Sequence, residues 1–382
     1  MPTLEVPINP ETLAWALRRA RLDPDDLARA AGASVERVHA WIGGKARPTY
    51  RQAQKIAQRL RVSFGQLLLP PPARVEIPIP DLRRRADAPK EPSLELTETI
   101  YDALRKRDWW REYRGNRPLA FVGSVDWQEA APEEVADAIR SYIPVQAIRV
   151  EAEDWDDFLR KLSKRAEEIG ILVLRRGIVG SNTHLPLDPT EFSGFAIADP
   201  VAPIILVNMR DYQARRNFTF AHELAHIWVG QSALDDNHEL EPDPELEKFC
   251  DRVAAELLVP EQQLRRMWSS DPREAAQNVA RRFWVSVWVA ARRAHDLGLI
   301  SREEYQNLVG EYYKGLGKQK RKSSSGNFDH NLAAWNSPTF TNAVVAATIE
   351  GELTFKEAAS LLNISLGAFV AYLEKRSSEV SY

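Results

Sequence analysis

The sequence predicts an α+β chain that is mainly helical, with one small sheet in its middle third. Three observations predict it. Apolar residues recur at helical spacing in short, capped runs through the first 70 residues and again beyond 272. Three β-rich runs cluster between 171 and 207. A helical run then follows the strands and carries two histidines four residues apart among apolar neighbours. With 382 residues, 44% of them apolar, the chain can bury several cores. No apolar run approaches the roughly 18 residues of a membrane helix, and the first ten residues lack a signal-peptide pattern. The single cysteine, Cys250, suits a reducing compartment. The expectation is a cytoplasmic protein with no membrane partner.

Residues 10–69 read as five short helices. Pro10 opens the first, and Asp23 caps the second, with Pro24 at its first position and Gly32 beyond its end. Ser34 caps the third, which stops at Gly43-Gly44; the fourth spans 49–60 and the fifth 63–69, before Pro70-Pro71-Pro72. Eleven Lys/Arg against six acids make residues 1–70 basic by +5, in a chain whose net charge is −3. A basic bundle containing two short helices joined through a glycine is the helix-turn-helix pattern, and it suits a polyanion such as DNA.

Residues 71–150 form a connecting region, extended at 75–83 and helical at 94–110 and 132–141. In it, Trp109, Trp110 and Tyr113 read as packing surface. An amphipathic helix at 155–169 closes on Gly170. Strands follow at 171–174, 194–198 and 203–207, the last two as a hairpin. Two helices at 273–300 complete a unit spanning 151–312. Residues 313–326 read as a flexible basic linker. The remainder, 327–382, is a helical region with helices at 340–349, 355–362 and 366–374. Its second hairpin of helices carries only Lys356, Lys375 and Arg376 against several glutamates. That balance favours packing or dimerisation, so a homodimer is admitted.

The most informative stretch is 213–230. Phe218, Ala221, Leu224, Ala225 and Trp228 fall at helical spacing, with Gly230 at the end. His222 and His226 project from one face, as two neutral nitrogen ligands of one zinc ion must. Glu223 lies about 100° further round, placed to serve as general base without ligating. A catalytic zinc needs a third protein ligand, and the apolar helix 246–259 offers Glu247 at its start and Asp251 one turn on. Glu247 as ligand, with Asp251 accepting the remaining N–H of a ligand histidine, completes the set. Both acids would equally suit the positive end of a helix. Glu256 sits deeper and is the weaker candidate. A His₂Glu set also accepts Mn²⁺ or Fe²⁺. An extended substrate could add as a strand to residues 194–198.

Two resemblances sharpen this reading. Residues 26–34 (DLARAAGAS) and 38–49 (VHAWIGGKARPT) resemble Xre/Cro-type helix-turn-helix domains of phage and bacterial repressors. The resemblance implies DNA contacts from Ser34, Arg37, His39, Lys45 and Arg47, with Arg37 the best guanine reader and Glu36 tending to repel phosphate. Residues 218–226 (FTFAHELAH), 247–251 (EKFCD) and 254–260 (AAELLVP) are similar to ImmA/IrrE metallo-endopeptidases. So are Val207-Asn208, residues 79–83 (IPDLR) and residues 180–184 (GSNTH). This implies a gluzincin-like, zincin-type peptidase domain with a His-His-Glu zinc site and a partner repressor as substrate, whose cleavage relieves repression in phage and stress-response systems. His184 and His238 are candidates for the oxyanion or for substrate, though each also suits a plain loop position. Cys250 stands where many such proteins have alanine and reads as packing. The rival is an antitoxin-type or autoregulatory DNA-binding protein whose peptidase-like domain is a sensor or a scaffold for a cognate toxin.

Overall fold

A computed structural model describes residues 4–72, 82–84, 92–230, 243–316 and 328–380. It is mainly helical with a small sheet and divides into two compact units. The first comprises residues 1–77 with 89–98, the second 78–88 with 99–382. Among the described residues, no helix is long and apolar enough to cross a membrane.

In the first unit each helix begins where a side chain can satisfy free N–H groups. Asn9 caps Pro10–Arg19, Asp23 caps Pro24–Ala31, Ser34 caps Val35–Ile42, and Thr49 with Gln52 forms a capping box on Tyr50–Leu60. Gly32 adopts φ +66°, the left-handed conformation that turns the second helix into the third. Leu13, Leu27, Val38, Trp41, Ile56 and Leu60 close one core. The expected fifth helix is reduced to a three-residue 3-10 turn, Gln66–Leu68. Three consecutive prolines after Leu69 supply no N–H donors and force the preceding residue extended, so no α-turn can propagate there.

The second unit is built on a four-stranded sheet in the order β1 (Leu82–Arg84), β5 (Phe192–Ile197), β6 (Ile204–Asn208), β2 (Leu172–Arg176). β5 and β6 are antiparallel, β2 and β6 parallel, and β1 is antiparallel to β5. Every residue of β6 is buried, so its run of apolar residues does not alternate. Helices Trp155–Glu168 and Gln213–Val229 pack together, the first against β2 and the second against β5 and β6. Pro244–Leu258 packs on the second of these, and Pro272–Phe283 and Val287–Asp296 follow.

The second unit departs from the sequence reading at several points. A two-stranded hairpin, β3 (Ile178–Val179) with β4 (Asn182–Pro186), was not expected, because its exposed, polar β4 lacks alternation. Short helices at Val145–Glu151 and Glu261–Met267 also escaped notice, each being under two turns. The helix Arg302–Leu316 enters the expected linker, carrying Gly310 and Gly315 within it; 317–326 lie outside the described residues. The C-terminal helices Phe328–Asn336, Pro338–Ile349, Phe355–Leu361 and Leu366–Val380 belong to the same compact unit as the sheet.

A buried polar cluster joins those helices to the core. Asp102 and Lys106 sit one turn apart on the helix Leu94–Arg114, within its part that belongs to the second unit. The Lys106 ammonium, wholly buried, donates to both Asp102 oxygens at 2.8 Å and to the Leu361 carbonyl at 2.7 Å. Arg176, at the end of β2 and equally buried, lies 2.5 Å from Asp102 Oδ2 and donates to Trp335 O and Asn336 Oδ1. Asn363 adds a hydrogen bond to Asp102 at 2.9 Å. Beside it, Trp109 meets Phe340 edge-on with centroids 5.2 Å apart and stacks on Tyr113, so these aromatics serve as packing surface.

Candidate metal centre

Two helices meet at the site. The motif helix, Gln213–Val229, is buried along nearly its whole length and ends at Gly230 in the left-handed region. A Cβ on Gly230 would fall 2.3 Å from Gly123 Cα, so only glycine permits the crossing there. The second helix, Pro244–Leu258, starts on the Asp243 cap with proline at its first position. It buries Leu246, Phe249, Cys250 and Val253, and this packing turns Glu247 and Asp251 toward the histidines.

His222 and His226 are completely buried. Their Nε2 atoms lie 2.9 Å apart. Glu247 Oε2 is 3.3 Å from His222 Nε2, and its Oε1 is 3.3 Å from His226 Nε2. Among the described residues these three form the group able to hold a metal ion. Ligand atoms around a tetrahedral ion with bonds of ~2.0–2.2 Å stand about 3.3 Å apart, so the spacing fits. The chemistry fits as well, since two imidazole nitrogens and a carboxylate are a donor set that zinc accepts.

The far sides of both rings meet the second helix. Asp251 Oδ1 lies 3.0 Å from His222 Nδ1, and Cys250 Sγ is 3.7 Å from His226 Nδ1. With a metal between the three groups, a proton on His222 Nδ1 facing Asp251 would leave the Nε2 lone pair free to ligate it. Burial disfavours the Glu247 charge. Hydrogen bonds and attraction from His222 and His226 outweigh it and hold this carboxyl well below the usual carboxylate range.

Glu223 follows His222 and is 1% exposed. Its Oε1 lies 3.3 Å from where a Cβ on Gly194 would sit. That Cβ would also fall 2.7 Å from the Leu206 carbonyl oxygen and 2.6 Å from Thr219 Cγ2, so β5 can pass this close to the motif helix only as glycine. Asn208, buried at the end of β6, donates to the Phe192 carbonyl and fixes the start of β5. The roles of Gly194 and Cys250 were missed from sequence. A glycine inside a strand is the signal for the first, while nothing in the spacing marks the second.

His184 is exposed on β4, its backbone N–H bound to Asn182, and is outside the three-residue group. His238 lies outside the described residues. Glu256 is occupied by Arg293 and Arg140 and accepts from the Glu261 N–H. In the first unit Ser34, Arg37, His39, Lys45 and Arg47 are all exposed. The Ser34 hydroxyl accepts the Arg37 N–H as helix cap.

Residues 166–295 match the family model of the IrrE N-terminal-like domain, a metallopeptidase-type family. The match contains His222, Glu223, His226, Glu247 and Asp251. Residues 336–375, within the C-terminal helices, match a domain of unknown function, DUF8813. No curated protein matches the chain.

Proposed function

We propose that this IrrE-like segment is a zinc-dependent endopeptidase that cleaves a regulatory protein, such as a repressor, and that the basic first unit directs it to DNA. The observation that carries the reading is the convergence of His222 Nε2, His226 Nε2 and Glu247 at 2.9–3.3 Å, with a buried carboxylate, Glu223, on the next residue of the helix. His222, His226 and Glu247 would hold zinc, which supplies Lewis acidity toward the scissile carbonyl and lowers the pKa of water. Asp251 fixes the His222 tautomer through Nδ1. Glu223 takes a proton from the attacking water at a carboxylate oxygen and delivers it to the leaving amine, so that water is added across the peptide bond. The water-poor surroundings of the motif helix strengthen each of these charge interactions.

DNA binding rests on the exposed Arg37, His39, Lys45 and Arg47 along the third helix and the loop behind it, in a unit with a surplus of positive charge. The test is to incubate the purified full chain, supplied with zinc, with repressor-type proteins encoded beside it and to identify new termini by mass spectrometry. Cleavage by the wild type and none by Glu223→Gln is the expected result. Intact partners in every reaction, together with tight promoter binding, would favour the rival regulator-scaffold.

A further inference from the structure

β5 is the strand that passes Glu223, and its outer edge is occupied by the chain itself. Leu82 pairs with Phe195 and Arg84 with Phe192, antiparallel, with an irregular register between them. The paired stretch therefore brackets Gly194, the residue whose missing side chain lets β5 approach the Glu223 carboxylate. On its other side β5 is committed to β6 from Gly194 to Ile197. A polypeptide reaching Glu223 in extended form has one sheet edge to join, and residues 82–84 hold it.

We propose that residues 82–84 are an internal competitor for a peptide-binding edge, so that an extended polypeptide must displace this strand to be cleaved. This rests on the peptidase reading of the site. The strand is short, three residues with two of them paired, and leaves the edge more readily than a long strand would. A tether also holds a competitor at a high local concentration without making its grip permanent. The segment lies in the chain between the basic bundle and the site, so its occupancy of β5 would link the two through covalent connection alone.

The test uses the full chain supplied with zinc, the double variant Leu82→Pro/Arg83→Pro, and two readouts. Neighbouring strand residues point their N–H groups to opposite sides, so two consecutive prolines remove at least one donor that faces β5. Hydrogen exchange at the amides of 192–195 is expected to quicken at least tenfold in the variant, while β6 keeps its protection. Cleavage of quenched fluorescent casein is expected to rise about tenfold, as when a tether keeps a strand at roughly ten times its own dissociation constant. A synthetic peptide of residues 76–90, added to the variant, should restore the protection and suppress the cleavage. If β6 also loses protection, a triple glycine variant of residues 82–84, which keeps every N–H, takes its place.

Unchanged exchange at 192–195 would overturn the proposal, and so would measurable casein cleavage that does not increase. If neither chain cleaves casein, the peptidase reading is decided by the repressor-type partners above, and the exchange result alone decides whether 82–84 hold the edge.

Discussion

Asp251 Oδ1 stands 3.0 Å from His222 Nδ1, on the side of the ring away from His226 and Glu247. A carboxylate in that position orients the imidazole and raises its basicity as a ligand. The Asp251 side chain is about half exposed, so its loss should hardly disturb folding. Asp251→Ala is expected to weaken zinc binding about 10–100-fold with little change in melting temperature. Competition against a chelator measures the first and thermal unfolding the second; unchanged affinity would remove Asp251 from the site.

Glu223→Gln keeps size and shape while discarding the proton acceptor. Zinc content should stay at the wild-type level while cleavage falls by about 10²–10⁴-fold, the usual contribution of general base catalysis. Metal analysis beside an activity assay separates the two effects. Full activity in this variant would exclude the proposed proton path.

Gly194→Ala acts on the same carboxylate from the strand side. The new methyl group meets a backbone oxygen, which cannot move aside as a side chain can. Overpacking of this kind costs about 1–3 kcal/mol, and it should displace Glu223 as well. Stability to denaturant and kcat should therefore both fall, and an unchanged kcat would argue against a working link between β5 and Glu223.

Much of this arrangement was legible in the sequence because it is local. Caps at Asp23 and Ser34 and the glycines at 32 and 230 mark helix ends through hydrogen bonds a few residues long. The i, i+4 histidines and the Glu247/Asp251 turn place their side chains by helical periodicity alone. What escaped depends on long-range pairing. Nothing near residue 82 announces that it lies opposite Phe195, and nothing near Asp102 announces Arg176 or Asn363. The contact of Cys250 with His226 depends on the angle between two helices, which no periodicity specifies.

DNA binding by the first unit is testable at Arg37. The side chain is exposed near the start of the third helix, whose cap Ser34 holds the backbone rather than the guanidinium. Arg37→Ala should weaken binding to the chain's own promoter by about 1–3 kcal/mol and relax preference at one base pair. Fluorescence anisotropy with promoter and scrambled duplexes distinguishes this from a uniform loss. Lys45→Ala should instead reduce binding to both duplexes alike and lower its salt dependence.

The cluster of Asp102, Lys106 and Arg176 places two buried cations on one carboxylate. Burial lowers the Lys106 pKa from 10.5 to about 7, with Arg176 adding to the shift and Asp102 opposing it. Burial would raise the Asp102 pKa, yet Lys106 and Arg176 outweigh it and hold this carboxyl far below the usual range. The two groups act in different pH windows. The folded state binds the Lys106 proton more weakly than the unfolded chain does, so Lys106 detracts from stability most below pH 7. Its contribution should improve from about pH 7 to about 10.5. Asp102 has a depressed folded pKa, so its contribution is present above its ordinary value near 3.8 and is lost as the pH falls below that. Asp102→Ala, which strands both cations, should cost about 3–5 kcal/mol. Lys106→Met removes one cation and frees the Leu361 carbonyl, the latter costing about 1 kcal/mol, and leaves a stability without the Lys106 pH dependence. Denaturant unfolding of the wild type and Lys106→Met from pH 6 to 10 supplies the check, because the wild type should gain on the variant as pH rises. Parallel curves across that range would mean that Lys106 does not titrate in the folded protein.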